Sequence, residues 1–235
     1  MNTIQFKVLI TGLGLLWSQL IFAATVVWFD EQEPGTDLYA VRLVVTDHYL
    51  RIDDGTEASD YILFDRKDAT IYSVNHEDQT VIDIKRSPMS LEKPKSLVFA
   101  AEPLEMKKGP PINGKQVKLY QLTVNGKKCG EVAAADGLLP DVVNALKQYR
   151  LTLAGEQMHL VETMPKHLRN DCDLLENVYA PGAHLEYGFP VFHRNFAGRV
   201  RSLKTLDESF VADKTLFELP ADYRRLSPAK LRSGG

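Results

Sequence analysis

The chain has 235 residues, 44% of them hydrophobic and 25% charged, with a formal net charge of −3. Those proportions are ordinary for a globular protein. An acidic balance without a basic cluster excludes recognition of nucleic acid or of an anionic membrane by charge. The start reads as a secretion signal. Met1–Lys7 carries one cation, Lys7, and no acid; Val8–Ala24 is uncharged and ends in two alanines. A signal needs that order, with an apolar stretch of about 7–15 residues before a small-residue cut. Spanning a membrane takes roughly 20 solidly apolar residues, and this run is interrupted by Thr11, Gly12, Gly14, Ser18 and Gln19. The expectation is a signal peptide over residues 1–24, cut after Ala23 or Ala24. The mature chain is expected in a periplasm, with no stable membrane insertion. Removing 24 residues from 235 leaves about 211, and the loss of Lys7 takes the charge to −4. That length suits one large domain or two small ones, and no linker divides it, so one domain is expected over 25–226.

In chain order, Tyr39, Val41, Leu43 and Val45 alternate with Arg42 on the other face, and Leu50 and Ile52 follow around Arg51. Such alternation is the mark of half-buried strands, and Asp53-Asp54-Gly55 reads as a turn with solvated acids. Strands are predicted at Tyr61–Asp65, Ala69–Val74 and Thr80–Lys85, separated by Arg66-Lys67-Asp68 and by Asn75-His76-Glu77-Asp78. Turns this short permit only antiparallel neighbours. Ser87–Lys95, with Pro88 and Pro94, breaks the meander. Strands resume at Leu97–Leu104, Val117–Val124 and Lys128–Ala135, with Gly109-Pro110-Pro111 and Asn113-Gly114 before the second and a hairpin at Asn125-Gly126 after it.

The period then changes. Leu139, Val142, Val143, Leu146, Tyr149, Arg150 and Leu153 recur at three and four, one face of a helix. Pro140 suits its first turn, and Pro165 ends it. A second helix is predicted over Asp171–Tyr179, with Asp171 and Asp173 as candidate caps. The tail returns to strands at Leu185–Phe196, Arg199–Leu206 and around Leu216–Phe217, and residues 227–235 are expected to fray. The predicted fold is mainly β (α+β): a curved antiparallel sheet or open half-barrel. The helical insertion, about 138–180, is its lid, because a one-sided apolar helix must cover a sheet face.

Three stretches resemble the LolA/LolB-like superfamily of periplasmic lipoprotein carriers, and more closely its uncharacterised envelope relatives. They are VVTDHYLRIDDG followed by YILFDRKDATIYSVNHEDQTVIDIK, then INGKQVKLYQLTVNGKKCGEVAAA, then FVADKTLFELPADYRRL. The resemblance implies an incomplete barrel with a helical lid and acyl chains held between the two. The helical segment and the cysteine pair do not match a carrier signature residue by residue, so the fold carries over better than the cargo.

On this reading the chain is a non-enzymatic binding protein. It lacks GxSxG, HExxH, P-loop and Rossmann glycine patterns. The expected ligand is hydrophobic: a lipid, an acyl chain or a lipoprotein. It would lie against Val142, Val143, Leu146, Tyr149, Leu153 and Leu43, with Arg42 and Arg51 as polar rim. The rival reading is an envelope protein whose core is filled by its own side chains and whose surface meets a protein partner. The two cysteines, Cys129 and Cys172, are expected to form a disulfide in an oxidising compartment. Six histidines show no HxH or HxxxH spacing. His184 and His193 could lie together, with Met158 and Met164 as soft ligands, but surface histidines and packing methionines account for them. No metal and no cofactor is expected.

Overall fold

A computed structural model describes residues 21–87, 92–105 and 111–233. The expected signal sequence up to residue 20, the centre of the expected break at 88–91, and Gly109-Pro110 lie outside them. Among the described residues one open, curved sheet holds twelve strands. They are β1 (Ile21–Gln32), β2 (Tyr39–Val45), β3 (Tyr49–Asp53), β4 (Tyr61–Asp65), β5 (Thr70–Asn75), β6 (Thr80–Lys85), β7 (Phe99–Leu104), β8 (Val117–Val124), β9 (Lys127–Ala135), β10 (Phe189–Arg194), β11 (Val200–Asp213) and β12 (Arg224–Leu226). The spatial order is β12-β6-β5-β4-β3-β2-β1-β11-β10-β9-β8-β7. Neighbours are antiparallel except β12, which lies parallel to β6.

Two antiparallel runs, β2–β6 and β7–β11, are joined at the middle by β1 against β11. The sequence reading passed over β1, the central strand. Its Val26, Val27 and Phe29 are all buried, so both faces are apolar and the period-two signal of a half-exposed strand is missing. The meander, the strands after the break and the hairpin at Asn125-Gly126 form as expected. Both turn residues have positive φ, 53° and 73°, as a two-residue hairpin of this hand requires.

The insertion between β9 and β10 is helical. Helix α1 covers Pro140–Thr163 with proline in its first turn, and it ends before Pro165. Arg66, beside the β4–β5 turn, holds the α1 start by a two-pronged pair with Asp141 at 2.7 and 2.9 Å. Helix α2 (Asp171–Leu174) runs into a π-helical turn, Leu175–Tyr179. Its cap is Asn170, whose side chain accepts from Cys172 N, rather than Asp171 or Asp173, which lie inside the first turn.

The tail differs from expectation in three places. Ala183–Tyr187 is a 3-10 turn ahead of β10, and Lys214–Phe217 is a 3-10 turn rather than a strand. Residues expected to fray instead form α3 (Pro228–Arg232), because Ser227 caps it, proline starts it, and Arg232 pairs with Glu156 of α1 at 2.7 Å.

Candidate functional site

Each sheet face has its own core. Directly opposed residues share a face, and two apolar rows run side by side across the α1 face. The first is Val45, Leu50, Phe64, Ile71 and Ile84, paired strand to strand from β2 to β6. Val142, Leu146 and Ala145 of α1 pack with this row in one buried cluster, and Tyr149 meets Phe64 edge-on at 6.0 Å. The second row is Leu206, Val27, Leu43, Ile52, Ile62, Ser73, Ile82 and Leu226.

The second row is buried at its centre and half-open towards β12. Ile52, Ile62, Ser73, Ile82, Leu226 and Leu231 of α3 line a groove there of about 470 Å³. Asp60, Asn75, Asp78, Thr80 and Arg224 add polar groups to its lining, and Tyr61 and Val74 also border it. Asp60 is committed to the β5–β6 turn, accepting from Asn75 Nδ2 and from His76 N, both at 2.8 Å. The opening is therefore apolar in its floor and polar at the turn end, the usual make-up of a small-molecule site.

The residues expected to hold a ligand are divided by the fold. Val142, Leu146 and Leu43 are fully buried in the α1 cluster, and Val143, Tyr149 and Leu153 pack against it half-buried. The space beneath this part of α1 is filled by side chains, and the groove lies beyond it. No local signal could place the groove, since Ile52, Ile62 and Ile82 come from three different strands.

Arg42 and Arg51 require a correction: they stand on the opposite face and rim no groove on the α1 side. Alternation puts Arg42 with Val44, and Val44 belongs to the second core with Val26, Tyr61, Leu63 and Phe217. Both guanidiniums meet Asp53, Arg42 at 2.8 Å and Arg51 at 2.5 Å, and Arg51 also donates to Leu216 O at 2.8 Å. Arg51 lies over the Tyr61 ring. Asp53 is thus no solvated turn acid. Burial alone would raise its carboxyl, but the bonds from Arg42 and Arg51 outweigh it and hold it below the ordinary value. Asp54, its neighbour, keeps the turn role and accepts from Thr56 N and Ser59 Oγ.

Cys129 of β9 and Cys172 of α2 form a disulfide, with Cα atoms 5.4 Å apart. It walls a small cavity of about 20 Å³ together with Leu175, Glu176, His184 and His193. The two histidines are not surface residues: His184 is 5% and His193 9% exposed, and their rings stack at 4.1 Å and 11°. Gly188 makes this approach possible. At φ 111° it turns the 3-10 segment into β10, and a Cβ there would meet Ala135 O at 2.5 Å. Burial, then the charges of Arg150 and Arg201, pushes His193 down to about 3. Burial likewise holds His184 well below the ordinary imidazole value, and burial raises the Glu176 carboxyl.

Among the described residues no helix is long and apolar enough to cross a membrane. No protein-family model and no curated protein matches the chain. Among solved structures it is similar to an uncharacterized conserved protein from Thermus thermophilus, at 7% identity and TM-score 0.44, covering 87% of this chain and 90% of that one. It is similar to PNGF-II at 9% identity and TM-score 0.40, covering 90% of this chain and 32% of that one, so it spans about a third of that protein. The LolA superfamily protein NE2245 from Nitrosomonas europaea aligns at 10% identity and TM-score 0.28, covering 86% and 92%. At these identities, and with every TM-score below 0.5, the likenesses carry no argument about this chain's fold or site.

Proposed function

We propose that the chain is an exported, non-enzymatic carrier-like protein that binds a hydrophobic ligand, such as a lipid, an acyl chain or the lipid of a lipoprotein. The observation that carries this is the half-buried row Ile52, Ile62, Ser73 and Ile82, apolar but for the serine and ending on buried Leu226, on the helix-covered face, with a groove of about 470 Å³ above it. That volume falls within the roughly 300–1,000 Å³ of small-molecule pockets. Ligand burial against isoleucine and leucine would supply about 25 cal/mol per Å² of apolar surface removed from water. The filled core beneath α1 favours the competing reading, an envelope protein that meets a protein partner with its surface.

One experiment separates the two. Wild-type protein is expected to bind a fluorescent fatty acid, and Ile82→Trp, which fills the groove from β6, is expected to lose binding with a melting temperature within a few degrees of wild type. Absence of probe binding by the wild type, or equal binding by the variant, rejects the carrier reading.

Export is part of the proposal. The apolar start and the disulfide, which persists in oxidising compartments, both support it. Sequencing of protein from a periplasmic fraction is expected to start at Ala24 or Thr25. Recovery of Met1 in the membrane pellet would rule this out.

A further inference from the structure

We propose that Glu176, His184 and His193 form a binding site for one divalent transition-metal ion, with Zn²⁺ the ion best matched to the donors. Each residue offers a ligand atom, and these atoms lie within 4.8 Å of one another. They come from three separate elements, the π-helical turn, the 3-10 turn and β10. Turns of π type inside helical segments recur at functional sites.

The second observation is the state of the donors. Both imidazoles line the cavity of about 20 Å³, and both are buried there, stacked ring on ring at 4.1 Å. A cavity needs about 10–15 Å³ to hold one water-sized occupant, so the space suits a single ion or water.

Donor chemistry narrows the ion. Two imidazoles and one carboxylate suit Zn²⁺ and its neighbours, whereas Mg²⁺ and Ca²⁺ prefer oxygen ligands throughout. Three protein ligands leave a fourth tetrahedral position for water. Binding needs a rearrangement: an ion lies in the plane of each imidazole that holds it, so one ring must turn out of the stack. Donors on one Zn²⁺ sit about 3.3 Å apart, which asks for a contraction of about 1.5 Å from the widest spacing. Arg150 and Arg201 also act on this cluster. Arg201 is paired with Glu31, and Arg150 donates to Asn177 Oδ1 at 3.2 Å.

The test uses tag-free protein with its disulfide intact, titrated with Zn²⁺ and with Co²⁺ as a spectroscopic stand-in. One equivalent is expected to bind, with visible Co²⁺ bands of four-coordinate intensity and a raised melting temperature. Loss of a partner behind a ligand costs about 10–100-fold in affinity, and loss of a ligand itself should reach about 100-fold or more. His193→Ala and Glu176→Gln are both expected to show that loss; Glu176→Gln preserves shape should the first fail to fold. His159→Ala, which alters the exposed His159–Glu162 pair, is expected to bind as wild type does. Failure of the wild type to take up stoichiometric metal overturns the site. So does uptake that survives Glu176→Gln or vanishes with His159→Ala.

Discussion

Asp53→Asn is expected to destabilise the protein by about 3–5 kcal/mol, the usual cost of removing one member of a buried charge cluster. The Asp53 side chain is 0% exposed and its partners Arg42 and Arg51 are 16% and 7% exposed. The variant leaves two cations together without their common anion, and the amide accepts poorly from both. The damage should spread, because Arg51 also holds the carbonyl of Leu216 and so secures the 3-10 turn that carries Phe217 into the second core. Urea unfolding at neutral pH measures the loss.

The pH dependence has a definite sign. Asp53 titrates below its ordinary value of 3.8 in the folded protein, so its stabilisation is complete above that value and is lost as pH falls through the lower folded value. The Asp53 contribution should therefore be lost below about pH 4, and the variant should lack that part of the drop. It comes on top of the loss from about pH 6.5 downward that the low-titrating His184 and His193 impose on both proteins. Asp54, Asp207 and Asp213 are also held low, by bonds from Ser59, Ser209 and Thr215, but they are unchanged between the two proteins and cancel in the comparison. Equal stability of variant and wild type at neutral pH would show that the two arginines are solvated without Asp53.

Cys129→Ser is expected to cost about 4 kcal/mol, from the entropy of the open chain across a sequence separation of 43. The closed loop contains all of α1, so the bond ties the insertion back to β9 at its far end. Wild type treated with reductant should melt with the variant, and peptide mapping without reductant should return the linked pair. Unchanged stability on reduction would mean that packing of Leu97, Val124 and Leu175 around the sulfurs holds this corner unaided. The groove lined by Ile62 and Ile82 lies elsewhere on the sheet, so fatty-acid binding should survive the substitution. Zn²⁺ affinity should fall, because the disulfide walls the cavity at His184 and His193.

By itself the sequence determined most of the local elements. Alternation along β2 and β8, the Asn125-Gly126 hairpin, the stripe from Leu139 to Leu153 and the proline limits of α1 all act over a few residues, where chain stereochemistry and burial on one face leave few alternatives. It also marked the two cysteines as a pair. Only the tertiary structure decided what those elements meet. Strand β1, buried on both faces, has no period to read, yet it is the centre of the sheet. Arg42 and Arg51 show the correct alternation but required the Asp53 register to reveal that they serve the opposite face. The groove depends on cross-strand pairing among Ile52, Ile62, Ser73 and Ile82, and the His184–His193 stack on a bend at Gly188 between a 3-10 turn and β10. Contacts of this kind join residues through register and close packing, and neither leaves a mark in the spacing of residues along the chain.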